Sequence, residues 1–338
     1  MPQSELNQAG PPIAAAAQAG GAEYHATAWR AATLTRGENT PKAPLRETLS
    51  LYALLAPTFL LLGIFSLVPF VVAFITSFYD YEVGGEATFI GLANYAEYLG
   101  DYTFLESFGN MLFLTAFSVI VVMIVPLIIA KLIFSLSSER ASYFYRILFL
   151  LPIVVPGVAV QMIWKNLIYS DAGLLNELLG ALSLDAWTRG WLSNPITVLW
   201  AIAFIGFPFA GGINILIYYA GLTSIPDSVH EAAELDGATG VKKFLLVDVP
   251  MVMSQIKLLV MLTIIGGVQS FEGIFILTQG GPGFKSMVPG LWMYFNAFSF
   301  QRMGYACAIG VILFIVIMGL TLLNMKYFRT SEQMQGDA

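Results

Sequence analysis

"SIPDSVHEAAELDGATGVKKFLLVDVP" (residues 224–250) is a polar, helix-forming stretch set between two long apolar runs. Pro226 stops the preceding structure, and Ser228 followed three residues later by Glu231 makes an S-x-x-E capping-box pattern. Ala232 and Ala233 continue a short helix with almost no side-chain bulk. Gly237 then permits a turn that a residue with a β-carbon resists. A second helix follows, with Val241, Phe244, Leu245 and Val249 as its apolar side, and Pro250 ends it where the next apolar run begins. The pattern predicts a helix–turn–helix hairpin with a small-residue edge. What surrounds the hairpin decides the fold.

Around it the chain is nearly all hydrocarbon. Of its 338 residues, 57% are apolar and only 11% are charged, against about 25% charged in ordinary soluble domains. A soluble fold of this length still needs a charged surface, so the deficit puts lipid over much of the chain. A bilayer core of about 30 Å takes about 20 helical residues. Six runs reach that length, near 51–78, 111–134, 144–167, 196–222, 251–277 and 305–327. The fold class expected is an all-α membrane protein with six transmembrane helices within residues 47–328. Prolines 57, 69, 126, 152, 156 and 208 interrupt these runs. Each is either a kink in a packing helix or a hinge beside a polar path.

Residues 1–46 differ in kind. "NQAGPPIAAAAQAGGA" (7–22) is small, broken by Pro and Gly, and too weakly apolar to pack, which predicts a disordered tail. The first basic residue is Arg30 and no compact apolar core follows the start, so the first span is expected to serve as an uncleaved targeting element. With the N-terminus inside, only Lys165, Arg189, Lys285 and Arg302 of the 16 lysines and arginines fall on outer segments. The positive-inside rule therefore expects the tails 1–46 and 329–338, and the hairpin 226–250, in the cytoplasm.

Several function classes drop out. A net charge of −6 offers no basic nucleic-acid footprint. One cysteine, Cys307, and two histidines, His25 and His230, cannot build a disulfide framework or a zinc cluster, and no metal or cofactor site is expected. The nearest approach to a phosphate-cradling G-x-x-x-x-G-K-[ST] loop is "GGPGFKS" (280–286). There Phe284 separates glycine from lysine, and the positive-inside reading puts the segment outside. The chain is read as a non-enzyme whose driving energy comes from elsewhere.

Glu231-Ala232-Ala233, three residues, Gly237, nine residues, then Val247-x-Val249-Pro250 resembles the EAA loop of binding-protein-dependent ABC importer permeases. Asp236-Gly237-Ala238 and Phe244 fit it as well; Val247 and Val249 stand where that family has Ile and Leu. "FIGLANYAEYL" (89–99), Asn110, "FLLPIVVPGVAVQMIWKNLI" (149–168), "GLLNELL" (173–179), "FEGIFILTQGGPG" (271–283) and "MGYACAIG" (303–310) are similar to the first permease subunit of maltose- and glycerol-phosphate-type systems. The likeness covers about residues 48–328, with Glu272 where such permeases often carry Asp. It implies a type I ABC importer permease fold with cytoplasmic EAA coupling helices, in a prokaryotic plasma (inner) membrane. It also implies that Glu231, Ala232, Ala233, Asp236 and Gly237 form the joint gripped by a cytoplasmic ATP-binding subunit. Taken alone, Glu231 either caps its own helix or docks a partner. The further partners implied are a second ATP-binding subunit, a second related permease chain, an outer solute-binding protein, and a sugar or related solute.

Polar residues inside the spans mark where a solute could pass. Gln269, Ser270 and Glu272 cluster near the outer half of the fifth run. Phe209 and Asn214 stand near the middle of the fourth, among Gly206, Gly211 and Gly212. Aromatic faces and amides suit sugars, and the resemblance aligns Phe209, Gln269 and Ser270 with substrate-holding positions. These residues either line a substrate path or bond across packed helices. Glu272 reads as a gate or partner contact. Two other readings stay open: an ion-gradient-driven secondary transporter, with Glu272 as its one ionisable candidate, and a membrane scaffold without transport.

Overall fold

The computed structural model describes residues 45–207 and 211–327; Phe209, nearly all of the expected N-terminal tail and the C-terminal tail lie outside the described residues. The chain divides into two units, 1–68 and 69–338. In the first, α1 (Leu45–Leu62) carries Pro57 without interruption and is followed by a π-helical turn, Gly63–Leu67.

The second unit begins within α2 (Val68–Thr76), followed by a two-stranded antiparallel ribbon of β1 (Tyr79–Asp80) and β2 (Thr88–Phe89). The short α3 (Ala93–Gly100) leads into α4 (Tyr102–Phe134), an unbroken helix of 33 residues, about 50 Å at 1.5 Å per residue and so longer than a bilayer core. Asp101 starts α4 by accepting from the Thr103 amide at 2.9 Å, which satisfies one of the orphan donors of its first turn. Pro126 sits inside α4, buried, without breaking it.

The expected third run is two segments. α5 (Glu139–Leu150) and a 3-10 turn, Leu151–Val154, meet α6 (Gly157–Ile163) and its π-turn, Trp164–Ile168, at 87°. Pro156 has no N–H and drives Val155 into extended backbone, ψ 124°. A short α7 (Leu174–Ala181) follows. The fourth run is divided as well, into α8 (Val198–Ala203) and α9 (Gly212–Thr223); between them Gly206 and Gly211 take φ of 81° and 95°, which only glycine adopts freely. α10 (Asp227–Leu235), α11 (Gly240–Lys243) and α12 (Val249–Met251) form the hairpin. α13 (Met253–Gln269), α14 (Glu272–Leu277), α15 (Pro289–Tyr294) and α16 (Met303–Tyr327) complete the described chain.

All six expected runs thus contain helix, but not six straight rods. Among the described residues, Tyr52–Thr76, Tyr102–Phe134 and Met303–Lys326 are long and apolar enough to cross a membrane singly. Two bent pairs, Glu139–Val154 with Gly157–Ile168 and Gly240–Met251 with Met253–Gln269, pass together, and α9 is a shorter apolar helix.

α4 organises the packing, because two core clusters lie along it. Toward its C-terminal end Val122, Leu127, Ala130 and Ile133 meet Ile215, Tyr218 and Leu222 of α9 and Ile256, Leu259 and Val260 of α13. Toward its N-terminal end Met111 joins Tyr98, Val268, Ile274, Leu291, Tyr305 and Ile309. Lipid tails are as apolar as these side chains, so close fit rather than water exclusion holds the helices together. Gly221 supplies such a fit: a β-carbon there would fall 2.8 Å from the Gln255 carboxamide carbon.

Asn110 fastens α4 to the irregular segment before α15, donating to Met287 O at 2.9 Å and to Phe284 O at 3.2 Å. Asn110→Leu would strip both carbonyls of this donor, at a cost of about 1–3 kcal/mol. The expected result is a thermal unfolding midpoint several degrees lower, measured by tryptophan fluorescence on the detergent-purified chain. An unchanged midpoint would show that the segment is held by packing alone.

Candidate functional site

The hairpin is set by its backbone. α10 starts from Pro226, at φ −61° and ψ 141°, and no side chain caps it. That corrects the capping-box expectation. The helix begins at Asp227, which places Ser228 in its first turn rather than at the N-cap, so the S-x-x-E spacing does not bracket the helix start. Glu231 and Ala232 are exposed, whereas Ala233 and Ala238 are buried. Ala238 N donates to Ala233 O at 2.8 Å, and Asp236 closes the helix. Gly237 follows at φ 73° with nothing within 4 Å of where a β-carbon would stand, so its requirement is conformational, not steric crowding.

The second arm runs from α11 through a π-turn, Phe244–Asp248, into α12. Pro250 does not end it, contrary to expectation. Proline is tolerated in a first helical turn, and the break comes at Val252, where the chain bends by 69° into α13. On the exposed side Lys243 Nζ bonds Glu234 Oε1 at 2.9 Å, and this hydrogen bond and its charge hold the Glu234 carboxyl below the usual carboxylate range. Leu235 and Val241 stay 89% and 73% exposed, so the hairpin also offers apolar surface.

Within the helical body a cavity of about 440 Å³ is lined by Thr115 and Ser118 of α4, Gln161 of α6, Thr263 of α13, and Ser270. Glycines 266, 267 and 273 keep its walls thin. A β-carbon on Gly267 would come 2.7 Å from Thr115 Oγ1, and one on Gly273 2.8 Å from Gln161 Nε2. Among the described residues, neither Thr115 Oγ1 nor Gln161 Oε1 has a hydrogen-bond partner, although both atoms are buried. A second cavity of about 200 Å³ shares the Ser118, Ala203, Ile205 and Thr263 walls and is closed by Asn214 and Phe207. The two spaces adjoin through these shared walls, and the polar groups in their otherwise apolar linings are hydroxyls and amides without charge.

Of the residues expected on such a path, Ser270 lines the larger cavity and Asn214 the smaller. Gln269 ends α13 exposed and outside both linings, while Ser270 beside it breaks into extended backbone, ψ 123°. Glu272 is exposed in the first turn of α14. Phe209 lies outside the described residues, two positions after the lining residue Phe207. Thr115, Ser118, Gln161 and Thr263 join Ser270 and Asn214 on the linings, and the sequence signal for each is a polar side chain within an apolar run.

Residues 127–328 match the family described as "Binding-protein-dependent transport system inner membrane component", a stretch that holds the hairpin, Gln161, Asn214, Thr263 and Ser270. Over 283 residues the chain is 32% identical to the probable ABC transporter permease protein YurN of Bacillus subtilis (strain 168), covering 83% of this chain and 97% of YurN. It is also 32% identical over 279 residues to the arabinooligosaccharides transport system permease protein AraP of the same organism, covering 81% and 87%. A crystal structure of a bacterial alginate ABC transporter, in complex with an alginate pentasaccharide-bound periplasmic protein, has a similar fold. The TM-score is 0.73 at 21% identity, over 83% of this chain and 94% of that one.

An aqueous path predicts a labelling pattern. In a Cys307→Ser background in membrane vesicles, Ser118→Cys and Ser270→Cys should react with a small charged methanethiosulfonate reagent. Ile256→Cys, 3% exposed in the packed cluster, should not. Equal protection of all three would show that the cavity is closed to water.

Proposed function

The chain belongs to the family of binding-protein-dependent transport system inner membrane components, and we propose that its solute is a neutral, polyhydroxylated sugar. It is the permease subunit of an ABC importer, a transport subunit rather than an enzyme. That membership displaces the ion-gradient and scaffold readings.

The observation that carries the proposal is that the polar groups on the two cavity linings are all uncharged. Carboxamides and hydroxyls each donate and accept, as sugar hydroxyls do, and they pair without an ion having to be stripped of water. Gln161 Oε1 and Thr115 Oγ1, buried and unpartnered among the described residues, are the atoms an incoming hydroxyl would satisfy first. Ser270, Ser118, Thr263 and Asn214 extend the same chemistry along the path. The oligosaccharide in AraP's name agrees with such a cargo.

The remaining parts of the assembly follow as proposals. Two ATP-binding subunits lie in the cytoplasm, a second related permease chain completes the pore, and a solute-binding protein delivers the sugar from outside. Both termini and the hairpin face the cytoplasm, as the distribution of basic residues supports. The exposed Glu231 and Ala232 edge enters a cleft on one ATP-binding subunit, Asp236 and Gly237 shape the turn behind it, and closure of the ATPase pair tilts the helices around the cavity. Phe209 and Gln269 meet the solute, as their likeness to substrate-holding positions suggests, and Glu272 forms the outer gate or meets a partner.

Two substitutions test the reading in proteoliposomes holding the full transporter. Gly237→Val forces a β-branched residue into left-handed backbone, at about 1–3 kcal/mol. It should reduce uptake at least tenfold while the chain remains in the membrane. Gln161→Leu removes one solute hydrogen bond and should raise KM for a neutral oligosaccharide about three- to tenfold, with kcat little changed. Uptake at native rates by both variants, or preferential uptake of an anionic uronate oligosaccharide, would overturn the proposal.

A further inference from the structure

One carboxylate beneath the hairpin is wholly buried. Asp248, 0% exposed, ends the π-turn one residue before Val249-Pro250. Lys131, in the last turn of α4, places Nζ 2.6 Å from Asp248 Oδ2. His230, beside Glu231 in α10, places Nδ1 3.8 Å from Asp248 Oδ1. The Phe134 ring packs against both neighbours, with its centroid 5.1 Å from Lys131 Nζ and 6.0 Å from the centre of the His230 ring. The two arms of the hairpin and the end of α4 therefore converge on one charge.

Such a charge is out of place in an element that needs only to be packed. A buried carboxylate persists where it is paired, and apolar residues of similar size often serve stability as well or better. Registry is a different matter. Apolar surfaces slide, whereas a short charge-assisted contact away from water resists displacement. α9 and α13 join the hairpin through the chain itself, but α4 does not. It is also the unbroken helix that carries Thr115 and Ser118 on the cavity wall, about 20 to 24 Å from Lys131 at 1.5 Å per residue.

Resting on the reading of the hairpin as the coupling element, we propose that the Lys131–Asp248 ion pair, with His230 packed against it, is a positioning tie that carries movement of the hairpin into α4 and so into the wall of the solute cavity. Without it the hairpin still drives α13, but α4 no longer follows.

The experiment compares two cavity positions in the full transporter in proteoliposomes, with Cys307→Ser as background. Ser118→Cys reports on α4 and Thr263→Cys on α13. Each is labelled with a charged methanethiosulfonate reagent, before and after trapping the ATPase pair with ATP and vanadate. In the native sequence both labelling rates should change at least fivefold on trapping. Asp248→Asn and Lys131→Met should remove the change at Ser118→Cys and leave it at Thr263→Cys, while Lys131→Arg should keep both. The double variant Lys131→Met with Asp248→Asn leaves no lone buried charge, so it assembles even where a single change does not, and should still lack the Ser118→Cys response.

A native response in the double variant would mean that the pair only neutralises itself, and the proposal falls. A native response at Ser118→Cys in Asp248→Asn would also overturn it. Failure of the underlying reading looks different: Gly237→Val would then leave both positions responding to nucleotide.

Discussion

Hydrocarbon offers no partner to a backbone N–H or C=O, and this constraint governs the architecture more than any single contact. α4 and α16 meet it as continuous helices of 33 and 25 residues. Elsewhere the chain departs from regular helix, and three of the departures border internal space. Pro152 and Ile153 of the 3-10 turn, with Gly206 and Gly211 from the gap between α8 and α9, line a cavity of about 570 Å³. Ser270, where α13 gives way to α14, lines the cavity of about 440 Å³. At these three places irregular backbone borders internal space, and the straight helices frame it.

Much of this was legible beforehand, for a physical reason. Span length and apolarity are local properties, so composition and run length located helix in all six runs, and the prolines marked where the third would break. The angle of 87° was not legible, because it depends on which neighbours take up the freed carbonyls. The path was read in part. Ser270 and Asn214 lie on the cavity linings but Gln269 does not, because the helix ends at Gln269 and the chain turns into extended backbone at Ser270. Thr115, Ser118, Gln161 and Thr263 come from three helices whose rotation is fixed by packing, which no single run reveals. The capping box is absent for a more local cause: the helix starts from Pro226, two residues before Ser228, which puts Ser228 inside its first turn.

The hairpin shows two kinds of stiffening with unequal weight. The Glu234–Lys243 pair spans its arms on the exposed side, where water and salt leave an ion pair worth little. The buried side holds Ala233, Ala238 and Asp248, and there the backbone comes close and the charge is shielded from water. Rigidity is thus concentrated on the face turned toward the helices, leaving Glu231, Ala232, Leu235 and Val241 open to a partner.

Gly267 and Gly273 stand directly behind Thr115 and Gln161: a β-carbon on either would lie 2.7 Å from Thr115 Oγ1 or 2.8 Å from Gln161 Nε2. A methyl at either glycine would force the hydroxyl or the carboxamide to shift without changing the set of hydrogen-bonding groups. The shape of the cavity is therefore adjustable from two positions that carry no polar side chain of their own, with the inventory of hydrogen-bonding groups on its wall kept the same.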